Sequence, residues 1–239
     1  MTEQTTNTAF ESFTLNCDMG EGLTPCPDET VMPLIDLANI ACGGHAGDRD
    51  TMAKTVDLAG VHQVHIGAHP SYPDKKNFGR HSLSLSKAAL QDTLYQQVSE
   101  LEEIARQAGA TLHHIKPHGA LYLDMMHDPV IFEHILDFCV QFDPSLPLML
   151  QGGVRDADYR RQAEVQGIRL LLEGFADRAY LPDGQLAPRS QPNSLYQNAE
   201  EIVAQSQAMM QARQVQTLCF HSDNPASVEA LIALKRSAE

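Results

Sequence analysis

The chain has 239 residues, of which 43% are apolar, 20% charged and 6% aromatic, with no Trp. That is enough sequence to bury a core without disulfides or structural metal, which excludes disorder as the overall state. Its 17 Lys+Arg against 31 Asp+Glu give a formal charge of −14, a balance that repels phosphate backbones and anionic membrane surfaces and argues against nucleic acid as a partner. The apolar stretches fall far short of the roughly 20 residues a membrane span requires. The polar start MTEQTTNTAFESF lacks the basic and apolar regions of a secretory signal. A cytoplasmic location is therefore expected, with residues 1–12 read as a disordered segment preceding the fold.

Seven apolar runs of strand length recur, at 13–17, 37–42, 64–68, 111–115, 147–150, 168–173 and 217–220, and most are followed by helical periodicity. After the first run a weak helix is expected over 28–36, and after the second another over 49–60. The strongest helix follows the third run, from Lys87 to Ala108. Ser86 is its N-cap, Leu90, Leu94, Val98, Leu101, Ile104 and Ala105 form one apolar face, and Gly109 stops it. After the fourth run, Asp128-Pro129 opens a helix with Ile131, Ile135, Leu136 and Phe138 inward, because Pro at the first helical position gives up no useful donor. Helices over 155–166 and 198–213 follow the fifth and sixth runs. Asn224-Pro225 repeats the opening device after the seventh.

Strands alternating with helices through short connections pair in parallel, as an open doubly wound sheet or as a closed barrel. The polar residues at the run ends decide between them. Asp18, His45, His69, Lys116 with His118, Gln151, Glu173, and His221 with Asp223 follow the seven runs in turn. An open sheet gathers its site at one switch point, whereas a barrel brings every strand end to one mouth. The expected fold is a TIM-like α/β barrel of seven strands, with residues 1–239 forming one domain. Five cysteines, odd in number and without a CxxC pair, read as reduced thiols.

Several of these residues have a chemical reading beside a structural one. Asp18 and Glu21 would place two carboxylates in the mouth, where repulsion and desolvation raise one pKa toward that of a useful acid or base; the alternative for Asp18 is a turn. His45 lies among glycines that permit close backbone approach, and Asp48 reads as the cap of the next helix. Pro70 confines His69 to extended backbone. Lys116 at the end of a buried strand needs a carboxylate partner, an anionic substrate or a lowered pKa. Arg80 and Arg178 fit a carboxylate clamp, or alternatively loop ties and an Asp177–Arg178 pair. Asn224 caps the last helix, leaving Asp223 to orient a histidine or meet substrate. A divalent metal would have to be assembled from different strands and stays unassigned.

The blocks NCDMGEG, NIACGGHAGD, GAHPSYPD, HIKPHGALY, EGFADRAY and CFHSDNP together resemble the LamB/YcsF family, also described as the family of the 5-oxoprolinase A subunit, from about Leu15 to the C-terminus. Three departures stand out. Gly22 leads into LTPCPDET without the Trp-bearing loop usual there, the last block reads His221-Ser222-Asp223 where HGD is usual, and the segment after Met210 and Gln211 that leads to TLCF is shorter than usual.

The resemblance implies a barrel related to glycoside hydrolases and deacetylases. It implies ATP-dependent opening of 5-oxo-L-proline to L-glutamate with two partner subunits, B and C. The catalytic set it points to is Asp18, Glu21, His69, Lys116 and His118, with Asp18 or Glu21 as base, His69 or His118 as acid or oxyanion donor, and Lys116 or an Arg as carboxylate anchor. Substrate contacts fall to Asn16, His45, Tyr72, Arg80, Glu173, Asp177, Arg178, His221 and Asp223. ATP is the co-substrate, and since the chain has no GxxxxGK[ST] loop its handling is expected wholly or partly on the partners. The competing expectations are a metal-dependent deacetylase and a non-catalytic substrate-binding subunit, and homo-oligomerisation stays open.

Overall fold

The computed structural model describes residues 13–22, 27–153, 156–189 and 191–238. Residues 1–12 and the LTPC segment after Gly22 lie outside them, and with them the disorder expected for the first and the altered loop noted for the second.

Seven parallel strands close into a barrel in sequence order: β1 (Thr14–Met19), β2 (Leu37–Ala41), β3 (His65–His69), β4 (Leu112–Ile115), β5 (Leu148–Gln151), β6 (Leu170–Phe175) and β7 (Thr217–Phe220). Closure is made by β7 against β1, with Asn16 opposite Cys219 and Cys17 opposite Phe220. The seven-strand barrel expected from the run ends is the fold that forms. Among the described residues eight helices surround it: α1 (Asp28–Val31), α2 (Arg49–His62), α3 (Lys87–Gln107), α4 (Gly119–His127), α5 (Pro129–Phe142), α6 (Asp156–Val165), α7 (Ala199–Ala212) and α8 (Pro225–Ala238). Among the described residues no helix is long and apolar enough to cross a membrane.

The caps behave as their chemistry dictates. The Ser86 side chain accepts from the Ala89 amide, Asp48 from Thr51, Asp128 from Val130 and Asn198 from Glu200 and Glu201, each satisfying donors that a helix start leaves unpaired. Asn224 accepts from Ala226. Two expectations are corrected. The helix expected over 28–36 is one turn, α1, followed by a 3-10 turn over Met32–Leu34 that contains Pro33. The helix α4 was not expected at all: Gly119 starts it with a positive φ of 58°, and the Ala120–Met126 stretch buries Ala120, Leu121, Tyr122, Met125 and Met126. Of the five cysteines, the four described, Cys17, Cys42, Cys139 and Cys219, are free buried thiols.

β6 runs two residues further than the apolar pattern suggested, so Glu173 lies within the strand and is fully buried. The interior of the barrel is correspondingly polar: Asn16, Asn39, His114, Lys116, Glu173 and Thr217 are all buried there. Gly67 makes this layer possible, because a Cβ at that position would lie 2.1 Å from His114 Nε2. The register between β3 and β4 shifts at the same point, between Ile66 and Gly67.

Candidate active site

The C-terminal strand ends open into a cavity of about 390 Å³. Its floor is built around Lys116. The ammonium lies 3.1 Å from Asp18 Oδ1 and 3.0 Å from Glu173 Oε2, and it donates to Asn16 Oδ1 at 3.3 Å. Burial lowers its pKa, but the Asp18 and Glu173 carboxylates outweigh that and hold it well above its usual value. Asn39 Nδ2 donates to both Asn16 Oδ1 and Asp18 Oδ1 at 2.9 Å. His114 Nε2 in turn donates to Asn39 Oδ1 at 2.7 Å. Asp18 is thus oriented through a buried chain that begins three strands away, on β4.

Four ionisable groups form the inner wall. His69 Nδ1 donates to the Lys116 carbonyl at 2.7 Å, while His69 Nε2 faces Asp18 Oδ2 at 3.3 Å and His118 Nδ1 at 2.9 Å. His118 Nε2 donates to the Phe78 carbonyl at 3.0 Å. His45 stacks on His118 with ring centroids 3.6 Å apart and planes 6° from parallel, and its Nε2 meets Glu21 Oε1 at 2.8 Å. Gly79 fits against this stack, where a Cβ would come within 2.8 Å of His45 Cβ.

The two carboxylates diverge in acidity. Burial pushes Asp18 upward, but His69 and Lys116 outweigh it and hold the carboxyl well below its usual range. Burial and the Asp18 charge push Glu21 up to about 8. Such a pair offers one ionised and one protonated carboxyl at neutral pH. Burial, with His69 nearby, also keeps His45 and His118 far below the usual imidazole value.

The outer rim is cationic. Arg80 and Arg189 flank Asp223 at 4.0 and 3.8 Å, and Arg178 is buried beside them, its Nη2 donating to the Ala187 carbonyl at 2.7 Å. Of the alternatives open for Asp177, the pair with Arg178 gives way to one with His221: Asp177 Oδ1 accepts from His221 Nδ1 at 2.8 Å. Asp177, and not Asp223, therefore orients His221. Gln205 on α7 pins this segment by donating to the carbonyls of Phe175, Ala176 and Arg178.

Of the residues singled out from sequence, Asp18, Glu21, His69, Arg80, Lys116, His118, Arg178, His221 and Asp223 line the cavity. Asn16, His45, Glu173 and Asp177 stand behind them, holding the groups that do. Tyr72 is buried with its hydroxyl donating to Asp124 Oδ2, apart from the cavity lining. Sequence reading missed Arg189, Phe175, Tyr122, Asn39 and His114. Arg189 lies on an irregular segment with no periodicity, and Asn39 and His114 are hidden inside apolar runs; the buried charge of Lys116 was the signal that polar partners had to accompany it.

A sequence model of the LamB/YcsF family matches residues 13–239. The chain belongs to the LamB/YcsF family. Relatives named as the A subunit of 5-oxoprolinase share 44% identity in Vibrio cholerae, over 94% of this chain and 96% of that protein, and 41% in Chromohalobacter salexigens, over 92% and 94%. The lactam utilization protein of Thermus thermophilus superposes with a TM-score of 0.86 at 35% identity, covering 95% of this chain and 97% of its own. The chain is thus matched across nearly its whole length.

Proposed function

We propose that this chain is the lactam-handling subunit of an ATP-dependent 5-oxoprolinase, opening 5-oxo-L-proline to L-glutamate together with two partner subunits. The observation that carries the reading is the near full-length match to relatives named as the A subunit of 5-oxoprolinase. The mouth is chemically suited to that substrate. Its three rim guanidiniums, Arg80, Arg178 and Arg189, offer paired donors to the one carboxylate of the substrate. Lys116 is neutralised by Asp18 and Glu173, which leaves the anchoring to the rim.

The lactam ring lies against the His69–His118 wall, beside Asp18. Asp18 takes a proton from the attacking water as the C–O bond forms, and returns it to the ring nitrogen as the C–N bond breaks. A carboxylate held this far below its usual range is a weak base, and an unactivated lactam is a poor electrophile. Coupling to ATP supplies the activated carbonyl that these two facts demand. The sequence has no GxxxxGK[ST] loop, and in this reading ATP is handled wholly or partly by the partners.

The test is reconstitution with both partner subunits, following glutamate formation. Glutamate should require all three proteins and ATP, and Asp18→Asn should lower kcat by about 10²–10⁴-fold. Amide hydrolysis of an N-acetyl sugar by this chain alone, without ATP, would replace the reading with a deacetylase. Full activity of Asp18→Asn would reduce the chain to a binding subunit.

A further inference from the structure

Glu21, His45, His69 and His118 each bring one donor atom within 4.8 Å of the others at the inner wall. Hydrogen bonds settle which nitrogens face the centre. His69 Nδ1 is 2.7 Å from the Lys116 carbonyl and His118 Nε2 is 3.0 Å from the Phe78 carbonyl. A carbonyl only accepts, so both of these nitrogens carry protons, and each ring, when it holds only that one proton, presents a lone pair at His69 Nε2 or His118 Nδ1. Those two lone pairs stand 2.9 Å apart. They repel unless a cation lies against both.

Two carboxylates face the same place. Glu21 Oε1 is 3.5 Å from His118 Nδ1, and Asp18 Oδ2 is 3.3 Å from His69 Nε2. Donor atoms bound to one zinc-sized ion at about 2.0–2.1 Å lie about 3.3 Å apart in a tetrahedron and about 2.9 Å apart along an octahedral edge. The His69–His118 and His69–Asp18 separations fall in that range, and the Glu21–His118 separation of 3.5 Å lies slightly above it. Imidazoles whose outer nitrogen is fixed by a carbonyl are also how proteins orient metal ligands.

We propose that His69 Nε2, His118 Nδ1 and the Glu21 carboxylate form a binding site for a divalent first-row transition ion, open toward the cavity. His45 supports the site. Its ring is parallel to His118, so its lone pairs do not converge with that ring's on one ion; its Nε2 donates to Glu21 Oε1 and aims the carboxylate. Its Nδ1 is buried without a partner, which fits a neutral ring donating only through Nε2. An ion here would polarise a substrate carbonyl, and Asp18 would stand beside it as the proton acceptor. The site goes beyond the lactam reading, because the ion binds or fails to bind whatever the substrate is.

The rival occupant is a single proton shared by the two rings, and metal titration separates them. Full-length protein freed of metal by chelation is titrated with Zn(II) by calorimetry and with Co(II) by visible absorption. One equivalent per chain is expected. Co(II) should also move two exchangeable imidazole N–H proton resonances, those of His69 Nδ1 and His118 Nε2, far outside the diamagnetic range. Glu21→Gln and His118→Gln should each weaken binding at least about tenfold, with circular dichroism showing the variants folded. His62→Gln, on the exposed last turn of α2, should leave it unchanged. Absence of Zn(II) and Co(II) binding to the wild-type protein at millimolar ion overturns the proposal in favour of the proton. So does binding without the two shifted N–H signals, or binding undiminished in both variants, either of which would move the ion elsewhere, for instance to Asp18, Cys219 and His221.

Discussion

Lys116 Nζ and Glu173 Oε2 lie 3.0 Å apart inside the barrel, with side chains 3% and 0% exposed. The same ammonium also holds Asp18, so one cation compensates two buried carboxylates. Removing it leaves both uncompensated in low dielectric. Lys116→Met is expected to cost about 3–5 kcal/mol in urea unfolding. Adding Glu173→Gln should recover part of that loss, because it removes one of the orphaned charges. A loss below about 1 kcal/mol, the scale of an exposed pair, would mean that the ammonium is not the counter-ion.

The barrel interior makes a second, steric prediction. Gly67 is small because the His114 ring occupies the place of its side chain. Gly67→Ala should destabilise by about 3 kcal/mol or more, as overpacking does when neither neighbour can yield. The His114→Ala change opens the space, so the double variant should be more stable than the sum of the single effects predicts, by thermal denaturation. His114 also orients Asn39 and, through it, Asp18. A smaller change, His114→Gln, should therefore lower kcat of the reconstituted complex while leaving KM nearly unchanged.

The rim predicts a split in the other direction. Arg189 is partly exposed, approaches Asp223 and lies on the cavity lining. If it grips the substrate carboxylate, Arg189→Ala should raise KM for 5-oxoproline about 10–100-fold, the worth of a charge-assisted hydrogen bond, with kcat far less affected. Inhibition by 2-pyrrolidinone, the same ring without a carboxylate, should not change. Equal weakening of both ligands would place the carboxylate elsewhere in the mouth.

How much of this was legible beforehand follows from where each signal resides. Strand-length apolar runs with polar ends give the closed barrel, because only closure brings Asp18, His69, Lys116 and His221 to one mouth. Caps such as Ser86, Asp48 and Asn224 are local chemistry and can be read from a few residues. The partner of a charge is not local. That Lys116 meets Glu173 and not the rim, or that His221 pairs with Asp177 and not Asp223, depends on strand register and on a loop with no periodicity. Asn39 and His114 were invisible for a related reason: inside an apolar run, one polar residue looks like an exception until its partner across the barrel is known.

The Asp177–His221 pair carries the pH prediction. Asp177 is fully buried, and burial pushes its carboxyl upward; His221 above all, with Arg189 and Arg178, outweighs this and holds it below the usual carboxylate value. A carboxyl whose folded pKa is depressed contributes stability that is present above its unfolded pKa, near 3.8, and is lost as pH falls through the folded value. The contribution is therefore complete at neutral pH and disappears only in acid. Asp177→Asn keeps the shape of the side chain but cannot ionise. It should lower stability at pH 7 and flatten the fall in stability below about pH 4, so that the unfolding free energies of wild type and variant converge with acidification. Parallel curves across that window, measured by denaturant titration at a series of pH values, would show that the carboxylate is not held by His221 in the folded protein.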